Sequence, residues 1–307
     1  MSNETTTFRT ILDDLKASTK GAWNNMLSYF LADLGMLAFI VLVLVVVAIP
    51  IVAVLVAIGP AGLAAFAQSM ANISTVNPLA LSLGVYLLLI PFLTIAFVVI
   101  GSIYGMSKEV VETGKTSAES AFSYLRHHFL SFAGAGVIIS LIVLAPQVLV
   151  MVTVSYLLGY TLTGWASFGS SLFVFVYSFI TLGLTSMVMP AVVNGKGVQE
   201  AVKESFRLAT QRFDRVFGIH TAIVVFALIT FSPYLVLAAI SIYYPLSVST
   251  MVLPAAAAFA GYGLVIGLAW ILVFFPMTFI AYVRVYHALT GGEIAKQATP
   301  VAEVPVF

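Results

Sequence analysis

The chain of 307 residues contains no cysteine. That excludes disulfides, thiolate nucleophiles and Cys-ligated zinc or iron–sulfur centres, and it leaves the redox compartment open. Charge is almost as scarce: Asp, Glu, Lys and Arg together make up 8% of the residues, against about 25% in an ordinary soluble domain. So few charges cannot clothe a water-soluble core of this size. The formal net charge is +1, so no global excess points to nucleic acid or an acidic substrate as partner. What fills the chain is apolar, 61% of it in the hydrophobic set, and the solvent for such a surface is lipid.

Three stretches, 34–107, 127–195 and 216–283, hold no Asp, Glu, Lys or Arg. A bilayer core of about 30 Å takes roughly 20 apolar residues as helix, so each stretch accommodates two spans and a short turn. The expectation is an all-α polytopic protein, a single domain over 1–290 with six transmembrane helices in three hairpins, at 35–58, 80–104, 129–157, 168–193, 216–243 and 256–286. Residues 291–307, which include Pro300 and Pro305 and show no periodicity, read as a flexible cytoplasmic tail. A polar, charged segment precedes the first apolar run, which therefore reads as a retained span rather than a cleaved signal.

Basic residues set the orientation, because they stay on the side from which they are not translocated. Arg9, Lys16 and Lys20 precede the first span; Lys108, Lys115 and Arg126 lie in the second connection; Lys196, Lys203, Arg207, Arg212 and Arg215 in the fourth; Arg284 and Lys296 at the end. The alternate connections carry no charge. Both termini and the two long connections are expected in the cytoplasm, with the protein in the cell membrane.

Each expected span holds one proline, Pro50, Pro91, Pro146, Pro190, Pro233 or Pro276. Together with the alignment of Glu119-Ser120 on Glu204-Ser205 and of Phe132 on Phe217 at an offset of 85, this reads as an internal threefold repeat. The prolines read either as static bends of a bundle or as hinges of a moving one.

The cytoplasmic segments carry helical periodicity. Val198, Ala201, Val202, Ser205, Leu208, Ala209, Phe213 and Val216 form one face, while Gln199, Glu200, Lys203, Glu204, Arg207, Gln211 and Asp214 form the other. Phe8, Ile11, Leu12, Leu15, Trp23, Met26, Leu27 and Phe30 outline a similar stripe before the first span, with a break expected at Gly21, and Ala118, Ala121, Phe122, Leu125 and Phe129 do so before the third. These are expected to be amphipathic interfacial elbows feeding the next span. Lys203, Arg207, Arg212 and Arg215 are the candidate contacts to the membrane surface or to a partner.

Catalytic chemistry is hard to find. No ionisable residue falls in the middle of an expected span, where an ion-coupled transporter keeps one. Gln147, Thr94, Thr153, Thr181 and Thr230 are the polar residues deepest in apolar sequence and read as interhelical glue. His127 and His128 are adjacent rather than three or four apart, and His220 and His287 are single, so no metal spacing is present. Gly-x-Ser-x-Gly and nucleotide-cradling glycine patterns are absent. Catalytic, cofactor and metal residues are accordingly expected to be none. Gly101 with Gly105, Gly263 with Gly267, and the run Ala133 to Gly136 predict close helix approach. Tyr156, Tyr160, Trp165, Tyr243 and Tyr244 suit the outer aromatic belt. Asn72-Ile73-Ser74 makes Asn72 a candidate glycosylation acceptor on the outer side.

One run carries a family likeness. From Pro190 through Asn194-Gly195-Lys196-Gly197 to Glu204-Ser205-Phe206-Arg207-Leu208 the chain resembles prokaryotic six-span proteins related to the membrane domain fused to some glycerophosphodiester phosphodiesterases. In that group a proline closes the fourth span, an Ala-x-x-x-Ser amphipathic helix follows, and an aromatic-basic turn enters the fifth. Ala201, Ser205, Phe213, Arg215 and Phe217 stand in those places, and Asn194 stands where members often carry an acid. The resemblance implies the six-span layout and no activity of its own.

The expected function is that of a non-enzymatic accessory or scaffold component of the membrane. The alternative is a transporter or channel for a neutral or lipid-like solute. Membrane lipids and another membrane or cytoplasmic protein are the expected partners, and nucleic acid is not.

Overall fold

The computed structural model describes residues 8–76, 78–158, 164–243 and 252–295. Every regular element among them is helical: α1 Phe8–Asn24, α2 Met26–Val76, α3 Pro78–Thr113, α4 Ala118–Leu157, α5 Gly164–Thr185, α6 Val188–Val193, α7 Val198–Gln211, α8 Phe213–Tyr243, α9 Val252–Ala269 and α10 Phe275–Thr290. A π-helical turn, Trp270–Phe274, joins α9 to α10. Pro276 follows it and cannot donate to the carbonyl four residues back, so the wider turn sits where the regular ladder is broken.

Seven segments are long and apolar enough to cross a membrane, and the chain is an all-helical, multi-pass membrane protein. At most a third of the most apolar stretch of any of them is buried. Leu42, Val46, Val54 and Leu87 stand largely exposed, a surface that aggregates in water and is at no disadvantage against acyl chains. Residues 26–76 hold two such segments, Met26–Pro50 and Val52–Asn72, where the sequence predicts one span at 35–58. The helix is interrupted at Gly59 (φ 65°, ψ −178°). Pro60 disfavours the helical conformation for the residue before it, and only glycine adopts this φ without strain.

The chain forms two compact units. The first comprises Met1–Phe30, Ile103–Ala121 and Arg207–Phe307, the second Leu31–Ser102 and Phe122–Phe206. In the first, α1 packs on α10, on the π-helical turn and on α8, and α10 packs on α8. In the second, α3 and α4 touch where side chains are smallest: a Cβ on Gly101 would collide with the Phe132 ring, and one on Gly136 with Phe97. The close approach expected at Ala133 to Gly136 is present.

Two of the sequence expectations are corrected here, the face of Glu204 on α7 and the break at Gly21. On α1 the buried face is Ile11, Asp14, Ser18 and Ala22, whereas Phe8, Leu12 and Trp23 of the predicted stripe, and Leu27 at the start of α2, are exposed, Trp23 at 65%. The exposed side of α1 carries Arg9, Asp13, Lys16 and Lys20 together with Phe8, Leu12 and Trp23. On α7, Glu204 belongs to the buried face with Ala201, Ser205, Leu208 and Ala209, and Phe213 is 57% exposed, stacked on Phe217. The break expected at Gly21 falls at Asn25 instead. Gly21 lies where a Cβ would come within 3.1 Å of Val110 and 3.6 Å of Ile280, so its smallness serves packing. The start of the tail is also tied down: the Ala295 amide donates to the Val111 carbonyl (2.7 Å), while 296–307 lie outside the described residues.

Candidate functional site

The polar centre of the first unit is a carboxylate between two guanidinium groups. Asp14 on α1 is 6% exposed. It accepts from Arg215 Nη2 at the start of α8 through one oxygen and from Arg284 Nε on α10 through the other, at 3.1 Å for the latter. Asp14 reaches this place because it occupies the buried edge of α1, one turn from Ile11 and Ser18. The arginines arrive from segments 201 and 270 residues away. Charge-assisted bonds of this kind are about twice as strong as neutral ones, and the cluster keeps one net positive charge.

Beside Arg284 opens a cavity of about 340 Å³, lined by Lys20, Asn24, Gly21, Lys115, Ile280 and Arg284 among others. Its walls come from α1, the last turn of α3 with the following loop, and α10. The loop is fixed by hydrogen bonds: Asn25 Nδ2 donates to the Gly114 carbonyl (3.2 Å), the Thr116 amide donates to Asn25 Oδ1 (3.0 Å), and Ser28 Oγ donates to the Thr116 carbonyl (3.0 Å). Among the described residues no acidic side chain lines the cavity.

Of the basic residues expected at a surface, Lys203, Arg207 and Arg212 are exposed and Arg215 is largely buried against Asp14. The structure therefore assigns Arg215 to a different role from the other three. Asn72 is exposed and lies within helix α2. Lys196 donates to the buried Glu204 and lies 3.6 Å from Glu200. Hydrogen bonding to Glu204 raises the Lys196 pKa above its ordinary 10.5. A raised cation pKa contributes stability in full below the unfolded value and loses it as pH climbs through the folded one. Melting in detergent between about pH 9 and pH 12 should therefore show an alkaline loss of stability that is smaller in Glu204→Gln. Equal pH slopes in the two proteins would exclude the pair as its source.

The polar residues at depth are consumed locally. Gln147 Nε2 donates to Ser178 Oγ (2.8 Å), and the Tyr177 hydroxyl donates to the Ile142 carbonyl (2.7 Å). Thr94, Thr153, Thr181 and Thr230 donate to carbonyls of their own helices, and Thr230 also accepts from Trp270 Nε1 (3.2 Å). His220 meets the Tyr282 hydroxyl at 2.8 Å and His287 the Glu293 carbonyl at 2.8 Å, while His128 stacks between Tyr124 and Phe132. Among the described residues no three His, Asp or Glu gather into a group fit for a metal ion. Tyr156 and Trp165 are strongly exposed; Tyr160 and Tyr244 lie outside the described residues.

Asp14 and the cavity escaped sequence reasoning. The available signal was weak: an acid at the centre of α1, flanked by Ile11, Ser18 and Ala22 at helical spacing. No family model matches the chain, and no curated protein or solved structure is similar to it.

Proposed function

We propose that this is a six-span protein of a prokaryotic cytoplasmic membrane, of the kind residues 190–208 resemble, with both termini in the cytoplasm and a non-enzymatic accessory or scaffold role. One observation carries the span count. The bonds from Asn25 and Ser28 to Gly114 and Thr116 hold the entry to α2 and the exit of α3 at one end, so an even number of crossings separates them. With α3 supplying one, residues 26–76 supply an odd number, hence one crossing rather than the two their apolar length allows. Asp14 likewise joins α1 to the start of α8 and the end of α10, which favours pairs of crossings throughout. The end so defined carries Lys20, Lys115, Arg215 and Arg284, and the rule that basic residues stay inside makes it cytoplasmic.

The scaffold role rests on how the polar groups at depth are used. Gln147 pairs with Ser178, and the threonines bond their own helices. A polar cavity at mid-membrane around Gln147, Thr153 and Thr230, which would favour the alternative of a transporter or channel for a neutral or lipid-like solute, needs such groups turned toward water.

Cysteine introduced at Ser167, at the start of α5, should react with a membrane-impermeant reagent in intact cells, and cysteine at Ser117 should not. Labelling of Ser117 from outside would reverse the orientation. Purification from native membrane under mild detergent should retain a stoichiometric partner. Gradient-driven solute uptake in liposomes, lost on Gln147→Ala, would instead select the transporter.

A further inference from the structure

We infer that the cavity between α1, the α3 exit and α10 binds a phosphate group, with Lys20, Lys115 and Arg284 as its cationic ligands. Its volume lies in the lower part of the range, about 300–1,000 Å³, in which small-molecule sites fall. Three separate segments each bring one cation to it. Lys20 and Lys115 have no acidic partner among the described residues. Arg284 is held through Nε by Asp14, which leaves the two-nitrogen end of its guanidinium without a protein partner among the described residues. That end is the fork that fits two oxygens of one phosphate, and the lysines add adjustable point charges.

Three of the acids in the neighbouring chain are engaged elsewhere. Glu112 lies 3.9 Å from Lys108, Glu109 accepts from Thr116, and Asp14 is shared by two arginines. Helix C-termini ordinarily repel anions, but here the carbonyls of the α3 exit are already taken, Val111 by the Ala295 amide and Val110 by that of Gly114. Lys20 and Lys115 stand beside an Arg284 that shares the single carboxylate of Asp14 with Arg215, and that surplus of positive charge is what a polyanionic headgroup neutralises. A carboxylate would leave most of it uncompensated.

The phosphate has two chemical sources. Val110, Val111 and Ile280 give the cavity an apolar wall, and Trp23, within one turn of Lys20 on α1, and Leu27, at the start of α2, stand exposed, as at a bilayer interface. A lipid headgroup would enter from that side. A soluble phosphate ester would enter from water through the exposed lysines.

The test uses the full chain in an uncharged detergent at low salt, with calorimetry of inorganic phosphate and of glycerol 3-phosphate. A parallel arm reads native mass spectra of the chain from nanodiscs of phosphatidylcholine containing phosphatidic acid. Binding of the soluble esters assigns a free phosphate compound; selective retention of phosphatidic acid alone assigns a headgroup; either supports the site. The double variant Lys20→Gln/Lys115→Gln, whose side chains are exposed, should weaken the observed binding by about tenfold or more, and Lys203→Gln should leave it unchanged. The site is overturned if wild type binds none of these probes. It is equally overturned if the double variant binds within about twofold of wild type while melting normally.

Discussion

Replacing Asp14 with Asn should destabilise the protein by about 3 kcal/mol, the largest loss expected from any single polar substitution on α1. The change keeps the shape of the side chain and one acceptor but removes the charge that two arginines share. Arg215 is 12% exposed and Arg284 25%, so Arg215 is the less able to recover its hydration. Removing one partner of a buried ion pair costs about 3–5 kcal/mol because the other charge is left uncompensated. Water access to Arg284 places the expected value at the lower end. Asp13→Asn, one residue away on the exposed side of α1, should change stability by no more than about 0.5 kcal/mol. Melting of the two variants in the same detergent decides it. If they melt together, the Asp14 cluster does not hold α1 to α8 and α10.

What the sequence revealed and what it hid follow one physical division. Runs of apolar residues and the placement of Lys and Arg are local properties, and they predicted an all-helical membrane chain. The amphipathic stripes are local too. On α1, Ile11 turns inward with Asp14, Ser18 and Ala22, while Phe8, Leu12 and Trp23 share the outer side with Arg9, Asp13, Lys16 and Lys20. On α7, Glu204 is buried where it meets Lys196. The Asp14 cluster is not local at all. Its members lie 201 and 270 residues apart, and no periodicity in α1, α8 or α10 encodes their meeting. The cavity is hidden for the same reason, since Lys20, Lys115 and Arg284 come from three separate segments. The span count lies between these cases: apolar length marks seven segments, and length alone does not pair them.

Gly101→Val should cost about 3 kcal/mol, at the upper end for overpacking, because the first added atom has nowhere to go. A Cβ at Gly101 would fall on the ring of Phe132, which is fully buried. Helix propensity works the other way, since valine replaces glycine in a helix at a gain of about 0.3–0.5 kcal/mol, so a net loss reports the collision alone. Gly267→Val supplies the comparison: nothing stands within 4 Å of its Cβ direction, and its effect should stay within about 0.5 kcal/mol. Phe132→Ala should be destabilising by itself, since a buried ring loses its contacts and leaves a void. In the double variant the valine enters the space the ring vacates, so the combined loss should fall below the sum of the two by about 1 kcal/mol or more. Strict additivity would mean that Gly101 and Phe132 do not touch.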